Sequence, residues 1–144
     1  MRAAEARALF ATARVARLAT ADAAGRPHLV PICFALDGDR VVTAVDHKPK
    51  RTTGLRRLEN VTANPRASVL ADRYDDDWTH LWWARADGTA RVVDPGSSEH
   101  RRFVALLVER YPQYRERPPS GPAIVLNVSR WSAWRYDQSS EAQS

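Results

Sequence analysis

The chain has 144 residues, 44% of them hydrophobic, and a net charge of +5 at pH 7, which suits one soluble globular domain with a real core. No apolar run approaches the ~20 residues of a membrane-spanning helix, and "MRAAEARALFATARVARLAT" alternates charge with alanine too often for a secretory core; the reading is a cytoplasmic protein. The single cysteine, Cys33, excludes an internal disulfide and any multi-cysteine metal cage.

The opening "AAEARALFATA" is rich in helix formers, with Leu9 and Phe10 on one apolar side. "RVARLATAD" then alternates as a strand and stops at "AGRP". "HLVPICFALD" reads as one second strand, closed by the turn "DGDR", and "VVTAV" as a third, so the first half is a helix and a three-strand meander. "TTGLRRLEN" is a short helix with Leu55 and Leu58 on one face, broken at "NP". "RASVLADRY" is a fourth strand and "LWWARADGTARVVD" a fifth, bent at Gly88. "PGSSEHRRFVALLVERYPQY" is a full helix begun by serines and stopped by Pro112. "PAIVLNVSRWSAWRYD" is the sixth strand, and the polar tail 138–144 follows a single domain over 1–137. Six mostly antiparallel strands with helices at the side predict an α+β, mainly β, small barrel.

Of 22 basic residues only Lys48 and Lys50 are lysine, leaving twenty arginines by subtraction. The arginines are scattered among acids, as codon bias would place them, which argues against a general nucleic-acid face. The two lysines lie together in "DHKPKRTTGLRRLEN", between a strand and a helix. Such a junction offers free backbone N–H groups and the positive end of the helix dipole. With Lys48, Lys50 and Arg51 as charges and Thr52 and Thr53 as donors, it reads either as a phosphate cradle or as a solvated basic loop whose threonines cap the helix. The glycine pattern of a nucleotide-binding P-loop is missing.

His28, His47, His80 and His100 show no metal-site spacing, and the acidic run Asp75–Asp77 has no calcium-loop pattern. The five tryptophans carry more. Trp82 and Trp83 must face opposite sides of a strand, as must Trp131 and Trp134, so one of each pair is left for a subunit interface or a flat ligand.

In their order, "HKPKR…LRRLENVTANPRASVLADRYDDDW" and "LWWARADGTARV" resemble the split β-barrel flavin-binding superfamily of pyridoxamine 5'-phosphate oxidase, over nearly the whole chain. Within it, the chain is most similar to the small oxidoreductases that use the deazaflavin coenzyme F420. The resemblance implies a six-stranded antiparallel split barrel with flanking helices and a homodimer with two cofactor sites at the interface. It makes Lys48, Lys50, Arg51, Thr52 and Thr53 the phosphate cradle, Lys50 foremost. It places Pro31, Ile32 and Thr43 near the tricyclic ring and gives Trp131, Trp134 and Arg135 to the partner's site. The implied reaction is hydride transfer from reduced F420 to a small conjugated acceptor such as an enone or quinone, with no metal and no assigned proton donor. FMN also carries a phosphate that suits the same cradle and is the alternative cofactor; a flavin or tetrapyrrole carrier without turnover is the non-enzymatic alternative. The oxidase's C-terminal substrate-binding motif has no convincing match, which argues against vitamin B6 oxidation.

Overall fold

The computed structural model describes residues 1–45 and 53–136, with 53–55 described as backbone only. The basic segment 46–52 and the tail 137–144 lie outside the described residues, so the expectations for Lys48, Lys50, Arg51 and Thr52 fall there.

Helix α1 (Ala3–Ala11) is followed by strands β1 (Ala16–Ala21), β2 (Pro27–Ile32), β3 (Ala35–Asp37) and β4 (Arg40–Ala44). Helix α2 (Thr53–Ala63), strand β5 (Arg66–Arg73), a 3₁₀ turn (Trp78–His80) and strand β6 (Trp82–Val93) come next. Helices α3 (Ser98–Arg110) and α4 (Gln113–Glu116) precede the last strand, β7 (Ala123–Arg135). The seven strands form one antiparallel sheet in the order β2-β1-β5-β6-β7-β4-β3.

That order is what makes the sheet a barrel. β2 and β3 are its opposite edges, yet only Cys33 and Phe34 separate them in the chain. Three Cα steps cover at most about 11 Å, so the edges must meet and the sheet must roll.

The break also corrects the count of six strands: "HLVPICFALD" is two strands on two edges. Its apolar run continues through the break, so nothing local marks it. The cause is a hydroxyl far along the chain. Tyr111 Oη accepts the Phe34 N–H at 3.0 Å and lies 3.0 Å from both Phe34 O and Arg14 O, with one proton to donate between them. Thr43 Oγ1 donates to Cys33 O at 2.7 Å. The two linking residues thus satisfy backbone groups outside the ladder, as buried backbone must. Arg110 reinforces the junction, donating to Ala11 O at 3.2 Å and to Ala13 O, with its guanidinium 4.6 Å from the centre of the Phe34 ring.

Two cores result. The first fills the barrel with Leu18, Ile32, Phe34, Val41, Val69, Ala84, Ala86 and Leu126, closed by Phe10 from α1 and Val61 from α2. The second lies outside the wall, where Phe103 and Leu107 of α3 cover Val42, Ala44, Val93 and Val125. The remaining outer wall, β2-β1-β5 with the adjoining halves of β6 and β7, is backed by neither buried core.

The ladder shifts register at Gly88, the position where the sequence predicts a bend. Asp87 pairs with Arg130 and Gly88 with Val128, which leaves Ser129 as the extra residue of a bulge in β7. Ser129 Oγ donates to Asp87 O at 3.1 Å.

Candidate functional site

Both described flanks of the basic segment are firmly held. On the strand side, Val45 N–H donates to Pro122 O at 2.9 Å. Gly121 approaches so closely that a Cβ there would lie 2.8 Å from Val45 O. Gly121 O is in turn 2.8 Å from Nε2 of His100, a buried histidine in the first turn of α3, whose N–H donates to the Ser97 cap at 3.0 Å.

On the helix side, α2 begins at Thr53 and has no acidic residue in its first turn. Its first turn therefore sets no carboxylate of its own against the free N–H groups and the dipole. The helix is seated by Val61, by Leu58 against the barrel core, and by buried Asn60, whose Nδ2 donates to Thr20 Oγ1 at 3.1 Å. Thr53 is described as the start of this helix and no further.

The other expected residues divide between the two sides of the wall. Pro31 is exposed on the outer side opposite Arg17. Its neighbour Ile32 is buried in the barrel core. Thr43 is 5% exposed, with its hydroxyl donating to Cys33 O. Trp131 points inward: its ring meets Phe10 edge-on at 5.3 Å and its N–H donates to Asp39 Oδ1 at 3.1 Å.

Trp134 lies on the outer side, directly across the ladder from Trp83 and edge-on to Tyr136 at 6.4 Å. Arg135 is half-buried opposite Trp82. Trp82 packs on the barrel core, while Trp83 lies outside with the Arg85 guanidinium 5.6 Å from its ring centre. Each tryptophan pair is split as the two-residue period of a strand requires. The structure brings Ile32 and Thr43 together at the barrel junction, but it sets Pro31 and Trp134 on the opposite side from them.

Sequence reasoning missed an open depression of about 520 Å³ on the outer wall, lined by Ala19, Ser68, Asp87, Gly88, Ser129 and Arg66 among others. Asp87 is fixed there by Ser68 Oγ at 2.6 Å and by Arg85 Nε at 3.1 Å. The depression's signal, small residues at matched positions of neighbouring strands, exists only once the strands are set in register. His28 was also passed over. It stands across from Thr20, beside α2, and burial together with Arg56 and Arg57 holds its pKa below the ordinary histidine value. Among the described residues no group of three or more His, Cys, Asp or Glu could hold a metal ion, and no helix is long and apolar enough to cross a membrane.

Residues 3–135 match the family model described as pyridoxamine 5'-phosphate oxidase. The chain belongs to that family. Its split-barrel fold, antiparallel and mainly β with flanking helices, is the one expected, with seven strands in place of six. Among curated proteins none matches the chain.

Solved structures share the fold at low identity. The conserved hypothetical protein Rv2991 from Mycobacterium tuberculosis is 21% identical with a TM-score of 0.74, over 96% of this chain and 87% of that one. HutZ, described as a heme storage protein from Vibrio cholerae, is 18% identical with a TM-score of 0.70, over 94% and 95%. A protein from Mesorhizobium loti described as FAD-binding is 20% identical with a TM-score of 0.68, over 92% and 94%.

Proposed function

We propose that this protein is a flavin-type oxidoreductase that takes reduced coenzyme F420 as hydride donor to a small conjugated acceptor. The observation that carries the reading is the pairing of flanks around 46–52. A strand end pinned by Gly121 and a helix start without acidic residues bracket Lys48, Lys50 and Arg51. Those residues fit a phosphate monoanion or dianion. Lys50, with Lys48 and Arg51, supplies the charge, and Thr52, Thr53 and the first N–H groups of α2 supply directed donors.

The bound deazaflavin supplies the hydride itself. The chain's part is to anchor the phosphate and present the ring, with Pro31 at its surface and the buried Ile32 and Thr43 stiffening the wall behind. The acceptor's proton comes from solvent or from a nearby side chain.

The site is completed in a homodimer. The outer wall that neither core backs carries Leu29, Leu70, Trp83 and Trp134 among Arg17, Asp72, Arg85 and Asp87. Leu29 is 67% exposed. A face with aromatic anchors and both signs of charge suits a second copy of itself. Trp131 serves its own barrel and Arg135 pairs with the inward Trp82, so Trp134 is the member of that trio that the outer wall presents to a partner. Trp134→Glu is expected to weaken dimerisation by about 30-fold or more, the ~2 kcal/mol scale of a central aromatic, as read by light scattering over a dilution series. A wild-type monomer at micromolar concentration would remove the shared site.

A second reading, a binder of haem or flavin without turnover, is favoured by the near-complete overlap with the heme storage protein and the FAD-binding protein. Titrating the apo protein with F420, FMN and haem in parallel, by tryptophan fluorescence, separates the readings. Tight F420 binding followed by acceptor-dependent oxidation of the reduced form supports the reductase. Preference for FMN moves the activity to that cofactor, and haem binding alone supports the carrier. Binding of none would refute both.

A further inference from the structure

We propose that His28 is a proton-sensitive latch for α2: the neutral imidazole lets the helix dock on the barrel, and the imidazolium loosens it. His28 and Thr20 are directly opposed across the β1–β2 ladder and share its inner side. Thr20 is the residue that α2 grips through Asn60. The His28 ring therefore sits beside a buried polar attachment of the helix, the Asn60–Thr20 hydrogen bond. Its Nδ1 is shut off from solvent and has no hydrogen-bond partner.

A ring held this way can stay neutral at modest cost, whereas a charged one would carry an N–H with nothing to receive it. The charges facing it raise that cost. Arg56 and Arg57 of α2 both oppose a positive ring, and burial opposes it more strongly still. Across the ladder stands Thr20, which is uncharged. Arg26, near the start of β2, is engaged with Asp22 at 2.9 Å. Glu59 of α2 is exposed and lines the adjoining cavity with Asp22, Arg26 and Arg56. Among the described residues no carboxylate is hydrogen-bonded to its Nδ1.

The direction of the pH effect follows. A histidine whose docked pKa is depressed leaves docking at full strength above the ordinary value of about 6.5. As pH falls below that value, the undocked state binds a proton that the docked state refuses, so the equilibrium moves toward undocking. Because α2 starts where the basic segment ends, acid would loosen the helix that the anion site leans on. The latch itself is a property of the cofactor-free chain and holds whichever ligand binds.

The test is amide hydrogen exchange across α2 in the cofactor-free protein at pH 7.5 and 5.5, corrected for intrinsic exchange, in wild type and His28→Gln. The expected result is an opening constant for α2 up to about tenfold larger at the lower pH, with β6 and β7 unaffected and no such rise in His28→Gln. Equal protection of wild-type α2 at both pH values overturns the latch, and so does the same acid response in the variant. If His28→Gln does not fold, the His28 ring is titrated by NMR in the wild type. A midpoint at or above the ordinary histidine value overturns the proposal, and one well below it supports it.

Discussion

Gly88→Ala is expected to cost about 3 kcal/mol or more, at the upper end of what overpacking does, and to lower the thermal midpoint by roughly 10 °C. The methyl group has nowhere to go. A Cβ on Gly88 would sit 2.0 Å from Asn127 O and 2.9 Å from Asn127 C, both backbone atoms of the neighbouring strand. A side chain can swing out of the way, but a ladder cannot. β6 and β7 would have to part at the point where the bulge already spends one residue of pairing.

The control is Gly38→Ala in the β3–β4 turn. Gly38 needs its glycine for a φ of +63° and has nothing within 4 Å of a Cβ, so the cost there is only the left-handed strain of about 1 kcal/mol. Urea melts of the two variants should separate clearly. Gly88 is not among the left-handed glycines, so equal destabilisation would mean that the strands part at little cost and that the close approach does not govern it.

The same contrast explains how far the sequence could be read. An irregularity at Gly88 was legible because a glycine inside an otherwise continuous strand is a local signal. Helix α3 was legible from its serine cap and from Phe103, Leu106 and Leu107. The parity of the tryptophans was legible too, since a strand must divide Trp82 from Trp83 and Trp131 from Trp134.

What could not be read was which member turns inward. That choice is made by Phe10, which meets Trp131, and by Asp39, which takes its N–H; both come from distant parts of the chain. The split between β2 and β3 was hidden for the same reason, because Tyr111 enforces it from 77 residues away. The outer-wall depression was hidden because small residues announce nothing until strands are set in register. The basic segment was the reverse case. Its composition stands out in the sequence, and the fold adds the two anchored ends between which it runs.

Lys50→Ala is expected to weaken cofactor binding by roughly 10- to 100-fold, the ~1.5–3 kcal/mol of a charge-assisted hydrogen bond, while stability stays within about 0.5 kcal/mol of wild type. F420 and FMN each carry a phosphate, so if both bind, both should lose affinity. Riboflavin, which has the ring of FMN without its phosphate, should bind wild type and variant alike. Raising the salt concentration should narrow the gap between wild type and variant for the phosphorylated ligands, because an accessible charge pair is screened. An equal loss for riboflavin would show that Lys50 acts on the ring or on the local fold and would dismantle the cradle. No loss for any ligand would leave Lys48, Lys50 and Arg51 as a solvated basic stretch, and the anion site would then have to be sought elsewhere, first at the cavity that Arg26 and Arg56 line.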